Sequence, residues 1–275
     1  MEKYLIMDKE KYISKDALEN WLRCPECDKV LYCREINEYY ICSKCSHHFK
    51  LCPSKRIDIT IDKGTFQSWD ENLEVKDPLA FPDYGKKLEN LYNKFSTKDG
   101  VITGIGKIHG TSSVVCIMDY RFIMGSMGTI EGEKLTRAFE RAAKMMLPVI
   151  VFTVSGGARM QEGIHSLMQM AKVSSAVAKH SEKSLLFISV LTNPTLGGVT
   201  ASFAMQADVI LAEPKATVGF AGRKVINNVS HYTYPKDFQK SEFVLESGFI
   251  DKIVPRNNMR DILGRILNLH NKIEI

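Results

Sequence analysis

The run Val149-Ile-Val-Phe-Thr-Val-Ser-Gly-Gly-Ala-Arg-Met-Gln-Glu-Gly163 carries the fold's most informative signal. Val149–Val154 is apolar or β-branched throughout, the pattern of a strand covered on both faces. Ser155–Ala158 holds a glycine pair, which reads as a turn. From Gln161 to Lys179, Ile164, Leu167, Met168, Ala171 and Ala178 recur at helical spacing, so a helix with an apolar face is expected. The order then repeats. Leu185–Leu191 reads as a strand, Thr192–Gly198 as a turn with a second glycine pair, and Val199–Gln206 as a short helix. Asp208–Ala212 and Thr217–Phe220 are two more strands. Strands alternating with helices imply βαβ units and parallel pairing, hence an α/β fold.

Working outward, Val101–Ile108 and Ser113–Asp119 read as strands joined at His109-Gly110. Glu131–Leu147 reads as a helix that Pro148 stops. Residues 53 to 99 are polar, with turns at Asp77-Pro78 and Phe81-Pro82, and read as an irregular connector with one helix around Lys86–Phe95. Short elements are expected around Ser241–Leu245, Phe249–Val254 and Asn258–Leu269.

The two glycine turns carry the chemistry. Without a Cβ, a glycine amide can approach a ligand closely. The start of the following helix adds unpaired N–H groups and positive potential. Two such turns on neighbouring strands can converge on one oxygen and stabilise charge developing on a carbonyl. Either turn alone is equally compatible with a plain tight turn. Phosphate-loop and dinucleotide glycine patterns are absent from the sequence, and Gly125-Ser-Met-Gly128 is not a nucleophile elbow.

Six of the seven cysteines lie between residues 24 and 52. Cys24-Pro-Glu-Cys27 and Cys42-Ser-Lys-Cys45 are two C-x-x-C pairs separated by fourteen residues. Two such turns complete a tetrahedral four-thiolate zinc shell, and a closed shell makes the zinc structural. Val30–Ile41 reads as two short strands around a polar turn at Glu35–Glu38. Cys33 and Cys52 read as packing residues and Cys116 as a small buried hydrophobe.

The chain has 275 residues, 37 Lys+Arg and 32 Asp+Glu, for a formal charge of +5. That composition excludes collagen, coiled coil and disorder. The mild positive charge fits an anionic ligand without requiring nucleic acid. The charged start does not read as a signal peptide, and no apolar run reaches the roughly 18 residues of a membrane helix, so a cytoplasmic protein with no membrane partner is expected.

Ser155-Gly-Gly-Ala-Arg-Met-Gln-Glu-Gly163, Ser166-Leu-Met-Gln-Met-Ala-Lys172, Gly197-Gly-Val-Thr-Ala-Ser-Phe-Ala204, Ile210-Leu-Ala-Glu-Pro214 and Gly219-Phe-Ala-Gly222 together resemble the carboxyltransferase beta subunits of bacterial and plastid acetyl-CoA carboxylase. Met118-Asp119, Gly125-Ser-Met-Gly128, Gly132-Glu-Lys134 and the four cysteines agree, so the resemblance runs from about residue 20 to about residue 255. It implies a crotonase-like spiral of ββα turns over residues 56–275 behind a zinc ribbon at residues 20–55. It implies transfer of a carboxyl group from carboxybiotin to acetyl-CoA, giving malonyl-CoA for fatty acid synthesis. The implied partners are an alpha subunit, in an alpha2beta2 heterotetramer, a biotin carboxyl carrier protein that brings biotin in trans, and biotin carboxylase. The proton acceptor would come with the biotin, so no side-chain base is needed. The resemblance casts the Gly197 and Gly198 amides as donors to the thioester oxygen, with support from Gly156 and Gly157. Arg159 and Arg223 are candidates for coenzyme A contacts, with Arg159 alternatively anchoring a partner; a structural salt bridge for Arg159 and a solvated charge for Arg223 weigh equally. Glu131 and Glu162 are expected to be structural. Neither a Met-Lys-Met biotinylation site nor an ATP-binding signature is visible, so such a chain handles only the acyl thioester. Two other readings remain: an acyl-CoA hydratase or decarboxylase of the same fold, and nucleic-acid binding through the basic, tyrosine-rich ribbon.

Overall fold

The computed structural model describes residues 21–32, 36–95, 97–229, 234–235 and 237–271. Cys33, the Glu35 end of the expected ribbon turn, and most of the stretch from Ser230 to Lys236 lie outside them. The chain divides into two compact units, with the boundary between Leu51 and Cys52.

In the first unit β1 (Trp21–Arg23) pairs antiparallel with β2 (Val30–Tyr32), and Ile41 bridges His48. Each pairing brackets one C-x-x-C turn. The sequence predicts that the two strands between the turns pair with each other; among the described residues the pairing runs across each turn instead. A loop of six residues closes its own hairpin at less entropic cost than a longer one does. Leu22, Leu31 and Phe49 form a small core around the cysteines.

The second unit is built on one sheet, in the order β10-β8-β7-β6-β5-β4-β3, with β9 beside β7. Here β3 is Gln67–Trp69, β4 Val101–Ile108, β5 Thr111–Met118, β6 Val149–Ser155, β7 Phe187–Leu196, β8 Val209–Ala212, β9 Val218–Gly219 and β10 Lys252–Ile253. β3, β4 and β5 are antiparallel; from β5 through β6, β7 and β8 to β10 the pairing is parallel. Residues alternate between the two faces. Val114, Cys116 and Val151 face a core shared with helices α3 (Thr129–Met145) and α4 (Ile164–Ser181), where the Phe139 and Phe187 rings meet edge to face at 4.9 Å. Val115, Ile117 and Ile150 face a second core closed by α1 (Pro53–Thr60) and α8 (Arg256–His270). The shorter helices are α2 (Tyr84–Phe95), α5 (Gly197–Thr200), α6 (Arg223–Val229) and α7 (Ser241–Glu246).

One expectation changes, and the direction of one helix face is settled. Residues 53 to 99 are not merely a connector: α1 and β3 extend the core and the sheet. They were hidden because three strand residues and a helix opening on Pro53 give too short a pattern to read. The apolar stripe of α4 faces outward, with Ile164 61%, Leu167 51% and Met168 58% exposed. Its buried side is Ser166, Gln169, Val173, Ala176, Val177 and His180.

Candidate active site

β6 and β7 are parallel neighbours, and Ser155 pairs with Thr195 near their carboxyl ends. The turns that follow both strands therefore leave the same edge of the sheet, where ligands bind in open α/β folds. The Thr153 and Thr195 hydroxyls, 2.9 Å apart, tie the two strand ends together. The backbones of the turns touch. Gly157 has φ +119° and Gly197 φ +62°, and a Cβ built on Gly197 would stand 2.8 Å from Gly157 Cα. Only glycine permits that approach in that conformation.

The four glycine amides are not equivalent. Gly156 N–H donates to Met124 O at 2.9 Å, and Gly157 N–H donates to Ser155 Oγ at 2.9 Å. Both of these amides, expected from the sequence to support the donors, are engaged inside the protein. Gly197 and Gly198 open α5, where an amide has no carbonyl of its own helix to reach. Gly197 is half-buried and Gly198 buried, with Phe220, 73% exposed, nearby through its carbonyl.

Arg159 is fully buried. Its Nη2 donates to Glu131 Oε1 at 2.7 Å and to Ser126 O, its Nε to Ser126 Oγ at 3.1 Å, and its Nη1 to Glu162 Oε1 at 3.4 Å. Burial opposes the charge, yet Glu131 holds the guanidinium above its usual range. Of the readings left open for Arg159, the ion pair is the one these contacts make, and no face of Arg159 reaches solvent. Glu131 and Glu162 are buried partners of that arginine, so they are structural here. Burial, with Glu162 adding to it, raises the Tyr84 phenol, whose hydroxyl donates to Glu162 Oε1 at 2.9 Å. Sequence reasoning missed Ser126, Met124 and Tyr84; the one signal available was the glycine bracket Gly125-Ser-Met-Gly128. Arg223 begins α6, and its Nη2 donates to the carbonyls of Pro235 at 3.1 Å and Phe238 at 3.3 Å.

In the first unit the ligand atoms of Cys24, Cys27, Cys42 and Cys45 all lie within 4.8 Å of one another. Cys24 and Cys45 sulfurs are 3.6 Å apart, Cys27 and Cys42 sulfurs 4.0 Å. Tetrahedral zinc with bonds of about 2.3 Å places its sulfurs about 3.8 Å apart, so the cluster fits a metal ion. Against burial, the Lys44 and Cys45 amides bring Cys42 down to about 7, whereas burial pushes Cys45 up to about 12. Four close thiolates need a cation among them.

The carboxyl transferase domain model matches residues 48–258. The acetyl-coenzyme A carboxylase carboxyl transferase subunit beta of Clostridium botulinum (strain Okra / Type B1) is 55% identical over 251 residues, 91% of this chain and 87% of that one. The subunit of the same name from Clostridium botulinum (strain Eklund 17B / Type B) is 49% identical over 282 residues, 99% of this chain and 97% of that one. Among solved structures, transcarboxylase 12S with methylmalonyl-coenzyme A bound superposes with a TM-score of 0.69 at 26% identity, covering 79% of this chain and 41% of that chain. A Pseudomonas malonate decarboxylase hetero-tetramer shares the fold, with a TM-score of 0.65 at 20% identity over 80% of this chain and 82% of that one. The crotonase-like α/β fold implied by the sequence resemblance is the fold observed. With its glycine turns abutting at the carboxyl edge of a parallel sheet and its sequence shared along nine-tenths of its length, the chain belongs to the carboxyl transferase family, among the beta subunits of acetyl-CoA carboxylase.

Proposed function

We propose that the chain serves the acyl-CoA side of carboxyl transfer, turning acetyl-CoA into malonyl-CoA, with the Gly197 and Gly198 amides receiving the thioester oxygen. The observation that carries this is the asymmetry between the glycine turns: Gly156 and Gly157 donate inward, whereas Gly197 and Gly198 open α5, where an amide has no carbonyl of its own helix to reach. Removing a proton from the carbon beside a thioester moves negative charge onto the carbonyl oxygen. Two aligned amides in a partly dry site stabilise that charge, and losing one such donor costs about 100- to 1000-fold in rate. Biotin, brought on a separate carrier protein, supplies the carboxyl group. The glycine turns themselves present backbone rather than an acid–base side chain, which suits a reaction whose proton acceptor arrives from outside. Arg223, already held to two carbonyls of the following loop, is placed to order that loop and to meet an anionic group such as a coenzyme A phosphate.

A second carboxyltransferase subunit completes the site in this reading. Its support is the outward stripe Ile164, Leu167 and Met168 of α4, joined by Met160 at 72% exposure. A helix that turns apolar residues to water while burying Gln169 and His180 is built for a partner. The four cysteines hold zinc in a structural role, since four thiolates leave no open position. No helix among the described residues is long and apolar enough to cross a membrane, and we place the enzyme in the cytoplasm.

The test is the reverse reaction. The chain, assembled with its partner subunit, should move a carboxyl group from malonyl-CoA to free biocytin, and neither chain should do so alone. A folded complex without that activity would overturn the reading, as would turnover of a crotonyl- or malonyl-thioester by this chain alone.

A further inference from the structure

Among the described residues, Arg159 is the largest side chain that is completely buried, and four separate segments meet on it. The first is the loop Phe122–Gly128. Phe122 lays its ring 5.1 Å from the guanidinium carbon, and Ser126 offers both its carbonyl and its hydroxyl. The second is the start of α3. Glu131 accepts from Arg159 and from the Gly100 amide at 2.8 Å on one oxygen, and from the Gly128 amide at 2.9 Å on the other. The third is the 3-10 turn Met160–Glu162, where Glu162 accepts from the Thr129 amide at 2.7 Å. The fourth is Tyr84, at the start of α2, through Glu162.

The loop so gripped is the template of the first glycine turn. Met127 N–H donates to Gly157 O, and Arg159 N–H to Met127 O, each at 2.9 Å; Gly156 N–H reaches Met124 O. The loop is also strained, because Ile123, Met124 and Gly125 are left-handed in succession, with φ of 45°, 56° and 69°. A β-branched residue does not hold that conformation unless its surroundings impose it. Gly157, held by this template, is in turn the surface against which Gly197 lies.

We infer that Arg159 is a positioning residue: its grip on Ser126, Glu131 and Glu162 locks the loop Phe122–Gly128, and through Gly157 it aims the Gly197 and Gly198 amides at the thioester carbonyl. This rests on the reading that those amides receive the thioester oxygen. Arg159 touches no substrate. Its contribution is the direction of two donors, and a misplacement of about 1 Å at a reacting centre costs about 100-fold.

The experiment uses the assembled complex and acetyl-CoA carrying carbon-13 at the thioester carbonyl, read by isotope-edited infrared difference spectroscopy. In the wild-type complex the bound carbonyl band should lie below that of free acetyl-CoA. Arg159→Lys keeps the charge between the two glutamates but cannot span them and Ser126 together. It should return the band toward the free position and lower kcat about 10- to 100-fold, with KM for the acyl-CoA within about twofold, because remote coenzyme A contacts are untouched. Ser126→Ala, which removes only the hydroxyl contact, should move the band the same way by less, and it decides the matter if the lysine variant does not fold. A folded variant with an unmoved band overturns the inference, whatever its kcat. An unshifted band in the wild-type complex overturns the donor reading itself, and the inference with it; a shifted wild-type band with unshifted variants overturns the inference alone.

Discussion

At Gly197 the chain combines a left-handed φ of +62° with a neighbouring backbone 2.8 Å from where a Cβ would stand. No rotamer relieves this, since the obstacle is Gly157 Cα rather than the end of a flexible side chain. Gly197→Ala is therefore expected to part the two turns, costing about 1–3 kcal/mol of stability and about 100-fold or more in carboxyl transfer. Thermal melts and the biocytin assay check the two parts separately. At Cys24 the expectation is compositional. Removing one of four thiolates opens the shell, so Cys24→Ala should fall from about one bound metal ion per chain to substantially less, measured by elemental analysis. The C-x-x-C spacing was enough to pick out these four cysteines, whose sulfurs the fold gathers within 4.8 Å, because each pair sits on one tight turn. No spacing could show that Gly156 and Gly157 turn their amides inward, since the acceptor of one, Met124 O, belongs to a loop some thirty residues earlier.

Among the elements, α4 separates what periodicity reveals from what it conceals. The 3.6-residue repeat of Ile164, Leu167, Met168 and Ala171 marks a helix face, and the helix is there. Periodicity does not say whether an apolar face meets the protein's own core or another chain. Val173, Ala176 and Val177, small enough to lie close against α3 and the sheet, took the core side. Leu167→Asp and Met168→Asp should leave the melting temperature of the isolated chain within about 2–3 °C, since surface changes stay within about 0.5 kcal/mol. The same variants should abolish co-purification with the partner subunit. Val173→Asp, by contrast, should leave no soluble folded chain, because it places an unpaired charge in the core.

Across the large unit, ion clusters beyond the one around Arg159 tie distant elements together, one fully buried and one half-exposed. Glu213, after β8, receives Arg56 of α1 at 2.6 Å and Arg256 of α8 at 2.7 Å, joining elements 200 residues apart in the chain. All three side chains are at most 4% exposed. Burial pulls the Arg56 guanidinium below its usual range while Glu213 works against that shift. Glu213→Gln would leave two buried guanidiniums without their counter-charge and should cost about 3 kcal/mol or more, read from denaturant midpoints. The second cluster is Asp70 with Arg137 and Arg141 of α3, at 3.1 and 2.7 Å. Burial would raise this carboxyl, but hydrogen bonds from Arg141 and Arg137 outweigh it and hold it below the usual range. A carboxyl lowered in the folded state stabilises above its unfolded value, and that contribution is lost as the pH falls through the folded value. The stability difference between wild type and Asp70→Asn should therefore hold at neutral pH and shrink below about pH 4.

By itself the sequence determined the order of strands and helices from Val101 onward, the four-cysteine shell, and the two glycine turns after neighbouring strands. These rest on signals spanning a few residues: periodicity, the conformational freedom of glycine, the reach of a C-x-x-C turn. The tertiary structure alone decided that Arg159 lies in the core, that the Gly156 and Gly157 amides turn inward, and that the apolar side of α4 looks outward. Each of those depends on groups far away along the chain. Glu131 is 28 residues from Arg159, Ser126 is 33, and Tyr84 is 78 from Glu162. A hydrogen bond or a buried face belongs to whichever group the folded sheet brings near, and local sequence carries no record of that neighbour.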